Sequence, residues 1–214
     1  MKNHRFIFFV LIILMFLIPA AVFAQEEFHS EFGILPPEIP SGSGDFADEL
    51  DSLVDRLDQS SMPPSHRLRY VYEWLMQKFQ YFPEDQFTRD METDPESVSQ
   101  HLHDVLKLSE ADDAGYALLS HYILDRMGFP TVIIDGELSL ADGSSQAHQW
   151  NYVYYSEKWY HFDPLGEKLN PLLNGFMNVQ KELANGALSW DETSIPPSAD
   201  YAVRAFGCHC DFTD

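Results

Sequence analysis

The sequence predicts an α+β domain, with helices in its first half and an antiparallel sheet in its second. Three observations lead there. Apolar residues recur at helical spacing as far as residue 127, and from residue 131 to 162 the pattern changes to strand-like runs separated by turns. The 214 residues, 45% hydrophobic and 14% aromatic, can bury one sizeable core but leave little for a second independent domain.

Phe46, Leu50, Leu53, Val54 and Leu57 share one face of a first amphipathic helix, and Leu68, Val71, Tyr72, Leu75, Met76 and Phe79 one face of a second. Asp94 followed by Pro95 reads as an N-cap with proline at the first helical position, and Val98, Leu102, Val105 and Leu106 give the third helix its apolar side. Over residues 113–127, Ala117, Leu118, Leu119, Tyr122, Ile123, Leu124 and Met127 leave almost no polar face, so this helix belongs inside the domain. Gly128, with Pro130 two residues later, is its expected stop. Strands are expected at 131–134, 146–155 and 158–162, with Ser156-Glu157 as the turn between the last two. Beyond Asn170 the pattern assigns no definite structure, and there is no internal repeat.

At the N-terminus, Lys2 and Arg5 precede an apolar run over residues 6–18 and a small-residue stretch ending at Ala24. This predicts a signal peptide over 1–24, cleaved after Ala24, since 13 apolar residues fall short of the roughly 20 that span a bilayer. Residues 25–45, rich in Pro, Gly and Ser, read as a tether, 46–170 as the folded domain, and 171–214 as a C-terminal extension. The expected product is secreted or attached to the cell surface, with no membrane span after cleavage. Losing Lys2 and Arg5 leaves 11 cations against 34 acids, a net charge of −23, which disfavours nucleic acid and reads first as a solvated acidic surface, with cationic ligands or Ca²⁺ as the sharper alternative. Cys208 and Cys210 are two residues apart near the C-terminus, so the fold is no disulfide scaffold. Pairing between molecules, or metal capture together with His209, stays open for them.

Four short stretches carry the chemistry: Lys78-Phe79-Gln80-Tyr81, Ala111-Asp112-Asp113-Ala114-Gly115-Tyr116-Ala117, His148-Gln149-Trp150-Asn151-Tyr152-Val153, and Trp159-Tyr160-His161-Phe162-Asp163-Pro164. Singly, a histidine in a strand is usually structural and an Asp-Pro usually a turn. In this order they put a histidine and an aspartate on neighbouring strands, facing the start of a buried helix. That is the arrangement of an activated nucleophile, its base and the group that orients the base.

The four stretches, over about residues 66 to 165, resemble the transglutaminase-like superfamily, which shares its fold with papain-type cysteine proteases. The resemblance implies a transglutaminase-like (papain-like) fold with the nucleophile at position 113, the base at His148 and the orienting carboxylate at Asp163. It also implies a ligand cleft lined by Trp150, Tyr116 and Trp159. In the family a cysteine opens the helix, where the helix dipole lowers its pKa. Here that residue is Asp113, and no cysteine precedes Cys208.

Asp113 has two readings. Aspartate is among the best N-cap residues, so it could simply hold the helix start. Alternatively it imitates the thiolate charge and leaves His148 between two anions, with a pKa above about 6.5 and a stability contribution lost between about pH 6 and 8. A carboxylate attacks amides poorly, because the acyl intermediate would be an anhydride. The expected function is therefore a non-catalytic derivative that binds a peptide or protein ligand, suited to a cationic one, in the former cleft. The alternatives are an amide hydrolase, peptidase or acyl transferase of altered chemistry, and a purely structural or interaction module. No metal or other cofactor is expected; Asp113, His148 and Asp163 as ligands of a divalent cation are the variant that metal-assisted chemistry would need. His101 and His103, two apart on a helix, point in different directions and make no chelating pair.

Overall fold

The structure is a computed structural model that describes residues 34–39, 44–83, 94–183 and 186–204. The expected signal peptide, most of the tether, and Cys208 and Cys210 lie outside the described residues.

Helix α1 (Asp45–Leu57) buries Phe46, Leu50, Leu53, Val54 and Leu57, the side its periodicity marks. Helix α2 (Pro64–Lys78) buries Leu68, Val71, Tyr72, Trp74 and Leu75, and Lys168 Nζ closes its end by donating to the carbonyl oxygens of Met76 and Phe79. Helix α3 (Pro95–Leu108) starts as expected, with the Asp94 carboxylate accepting from the Ser97 N–H at 3.1 Å. Two strands too short to leave a pattern, β1 (Gln80–Tyr81) after α2 and β2 (Glu110–Ala111) after α3, pair in parallel with Tyr81 opposite Ala111.

Helix α4 (Asp113–Arg126) is buried on all sides from Ala114 to Leu124. Gly128, at φ +82°, ends it, and N–H groups of Gly128 and Phe129 satisfy the carbonyls of Asp125 and Leu124, both at 2.9 Å.

The main sheet comprises β3 (Thr131–Ser139), β4 (Ser145–Tyr155), β5 (Lys158–Phe162) and β6 (Leu188–Trp190), in the order β5-β4-β3-β6 and antiparallel throughout. Ser156 and Glu157 both take positive φ (50° and 62°), the conformation a two-residue hairpin needs to match strand twist. One face carries Ile133, Val153, Tyr160 and Phe162 into the helical core, and Asn151 Nδ2 donates to the Ala117 carbonyl of α4 at 2.9 Å. The other face carries Val132, Ile134, Leu138, Trp150, Tyr152 and Trp159, joined by Leu188 of the edge strand and covered by Leu173, Leu183 and Ile195. Each fully buried large apolar side chain contributes about 1.5–3 kcal/mol, so this second cover is a substantial part of the fold. It comes from the stretch after Asn170, which supplies helix α6 (Gln180–Leu183), β6 and a 3₁₀ turn (Glu192–Ser194), while helix α5 (Pro164–Leu169) precedes it.

Candidate functional site

The site forms where α4 begins. Asp112 is extended (φ −85°, ψ −172°) and its carboxylate accepts from the Gly115 N–H at 2.7 Å, so Asp112 is the N-cap. The cap reading of Asp113 is thereby corrected: Asp113 is the first helical residue, where its side chain cannot turn back onto the helix's own N–H groups. Instead its Oδ2 lies 3.2 Å from His148 Nδ1, with 21% of the Asp113 side chain exposed.

His148 sits on β4 before pairing with β5 begins at Asn151, so no neighbouring strand covers that flank. Asp163 directly follows β5, and both its carboxylate oxygens lie 3.0 Å from His148 Nε2. Oδ1 also accepts from the Gly166 N–H at 2.8 Å, which caps α5; a side chain at Gly166 would collide with that carboxylate. The Asp163 N–H donates to the Gly175 carbonyl at 2.9 Å, and the Tyr72 hydroxyl, 2.6 Å from Glu167 Oε2, also lies 3.2 Å from the Asp163 carbonyl oxygen. The orienting carboxylate is thus held from both its backbone and its side chain.

Burial pulls the His148 pKa down, but the charge of Asp163 and hydrogen bonds to Asp113 and Asp163, with the Asp113 charge, raise it from 6.5 to about 10. The imidazole is therefore cationic at neutral pH and donates one N–H to each carboxylate. Because the folded pKa is raised, this pairing stabilises fully below about pH 6.5 and is lost as pH rises through about 10. That window reaches well above the pH 6 to 8 that the sequence suggested.

One further side chain reaches Asp113, and a second reaches it through the first. The Tyr81 hydroxyl is hydrogen-bonded to the Asp113 carboxylate; burial, then the Asp113 charge, pushes the Tyr81 pKa up. Gln146 Nε2 lies 3.3 Å from the Tyr81 oxygen. Tyr81 ended the aromatic stretch before α3, which was its signal; Gln146 had none.

The expected cleft residues are buried instead. Trp150, Tyr116 and Trp159 are 1%, 2% and 8% exposed, so none offers a face to a ligand. Trp150 stacks on His148 with ring centres 5.7 Å apart and planes at 17°, Tyr116 donates its hydroxyl to the Phe79 carbonyl at 2.8 Å, and Trp159 stacks on Tyr152 at 5.3 Å. The cover from residues 173–195 is what turns the two tryptophans from cleft wall into core. His101 and His103 meet different partners, Asp112 at 3.3 Å and Glu49 at 3.1 Å. Asp113 and Asp163 approach opposite nitrogens of one ring, so they do not share a centre with it, and among the described residues no three His, Cys, Asp or Glu side chains are grouped to hold a metal ion.

Asp113 at a helix start, the His148 imidazole and the Asp163 carboxylate come together on a scaffold whose helices and antiparallel sheet are those of the papain-like fold class. Over residues 51–164 the chain matches the family model of the transglutaminase-like superfamily, and it belongs to that superfamily. No curated protein matches it. Similar solved structures include a TGase crystal structure, 17% identical, over 56% of this chain and 31% of that one, TM-score 0.40. A candidate cysteine protease from Cytophaga hutchinsonii is 16% identical over 66% of this chain and 45% of its own, TM-score 0.43. Legionella pneumophila LapG is 18% identical over 68% and 72%, TM-score 0.38. The chain thus spans less than half the length of the first two.

Proposed function

We propose that Asp113 stands at the superfamily's nucleophile position and that the domain is a non-catalytic derivative, exported by its N-terminal segment, which holds a peptide or similar chain beside Asp113. The observation that carries this reading is the 3.2 Å contact between Asp113, relieved of capping by Asp112, and His148 Nδ1. A carboxylate there makes a poor nucleophile. His148, protonated up to about pH 10, has no lone pair with which to activate water.

The ligand side is the partly exposed edge at Asp113, Tyr81 and Gln146. Next to it a groove of about 50 Å³ runs between α3 and β2, lined by Asp104, Val105, Glu110 and Asp112 and rimmed by the exposed Phe82 and Leu108. Carboxylates beside exposed apolar side chains suit an extended segment with both basic and apolar residues, as does the net charge of −21.

The test pairs the parent with an Asp113→Cys variant, Cys208 and Cys210 removed from both. The parent should release no ammonia from glutamine-containing peptides, with or without chelator, and should resist iodoacetamide at neutral pH. The variant should be alkylated, because helix start, imidazole and orienting carboxylate are all in place. Chelator-sensitive turnover by the parent would sink the non-catalytic reading, and equal labelling of the two proteins would sink the assignment of Asp113.

A further inference from the structure

We propose that His161 is a positioning residue that holds Trp150 flat against His148, making the indole face a third partner of that imidazole beside Asp113 and Asp163. This does not depend on whether Asp113 replaces a nucleophile.

His148 and Trp150 are two apart on β4 and so point to one side of the sheet. Their rings are nearly parallel, at 17° with centres 5.7 Å apart, so a charged imidazole meets the electron-rich indole face away from water. An indole can tip out of such a stack unless something fixes its plane. Here two features do. Gly136, cross-strand from His148, leaves room for the six-membered ring: a Cβ there would lie 2.7 Å from Trp150 Cη2 and 2.9 Å from Cζ3. The one polar atom of the indole, Nε1, donates to His161 Nδ1 at 3.0 Å.

The chemistry of His161 shows what it is there for. Because Nδ1 accepts, the neutral ring carries its proton on Nε2. That atom is buried with no hydrogen-bond partner, and the His161 ring packs between those of Trp190 and Tyr152, with ring centres 4.7 and 4.8 Å apart. An orphaned buried donor is destabilising, and a leucine or phenylalanine would avoid it. What an apolar residue could not supply is the acceptor that fixes Trp150. Burial lowers the His161 pKa to about 3, so this acceptor stays available at any ordinary pH.

The charged and titratable groups facing His148 are Asp113 on α4 and Asp163 after β5, with Tyr81 on β1 reaching it through Asp113. His161 touches none of these carboxylates directly, so its effect on His148 has to pass through the indole. Histidine-labelled protein followed by long-range ¹H–¹⁵N NMR reads the His148 ring nitrogens across pH. In His161→Leu the His148 midpoint should fall by about one unit, the loss of a desolvated cation–π contact. His161→Gln, whose side-chain carbonyl can accept from Trp150, should restore it. A folded Leu variant with an unchanged midpoint overturns the proposal, and so does a folded Gln variant that titrates like Leu. If the Leu variant does not fold, Trp150→Phe, which has no N–H to be held, should lower the midpoint, and an unchanged value there also overturns it.

Discussion

His148 and His161 sit on adjacent strands of one sheet, on the same side of it, at 2% and 1% exposure, yet one is cationic and the other neutral. Burial opposes the charge in both. At His161 nothing answers it, and the pKa falls to about 3; at His148 two carboxylates outweigh it, and the pKa rises to about 10. Burial lowers the pKa at both positions, and what the ring nitrogens meet decides the outcome. A donor from Trp150 selects the neutral ring, while two acceptors select the cation.

The comparison breaks most completely at Asp163. Asp163→Ala removes the fully buried partner of His148 and the cap of α5 together, and should cost about 3–5 kcal/mol in denaturant unfolding near pH 7. An effect below about 1 kcal/mol would mean that His148 is not held charged by that carboxylate.

Asp113→Asn should act more weakly, because Asp113 keeps 21% of its side chain in water. The expected loss is roughly 1.5 kcal/mol at pH 6, the scale of a hydrogen bond to a charged group. The difference from the parent should shrink as pH rises from about 6.5 through about 10, since a raised histidine pKa stabilises only below that range. Unfolding of both proteins across this interval measures it; parallel profiles would separate Asp113 from His148. Smallest is Asp112→Ala, which should cost about 1 kcal/mol as a lost cap. Its difference from the parent should stay level as pH rises towards about 10, because Asp112 meets His101 and not His148; convergence over that range would show that the two neighbouring aspartates act as one.

Much of this was legible in the sequence. The helices of the first half, the buried helix and its glycine stop, and the strands around residues 131–162 all announce themselves by periodicity and turn residues, because each is set within a few residues of chain. The division of labour between Asp112 and Asp113 was not. Two adjacent aspartates look alike until the backbone of one is extended and that of the other helical, and that choice fixes which carboxylate caps and which faces His148. The aromatic residues misled for a different reason. Trp150 and Trp159 read as core and cleft wall at once, and only the first holds, because the residues that cover them lie 14 or more positions further on, in a stretch with no periodicity of its own. His161 filled an unassigned place between Trp159 and Asp163, and only the Trp150 N–H gives it a role.

The stretch recognisable as transglutaminase-like ends at residue 164, but the cover of the sheet's second face is drawn from Leu173, Leu183 and Ile195. Even Asp163, the last charged member of the site, has its backbone N–H tied to Gly175, beyond that limit. The residues that match the family are therefore fewer than the residues that build the core: the matched stretch holds Asp113, His148 and Asp163, and the residues after it supply the wall behind them.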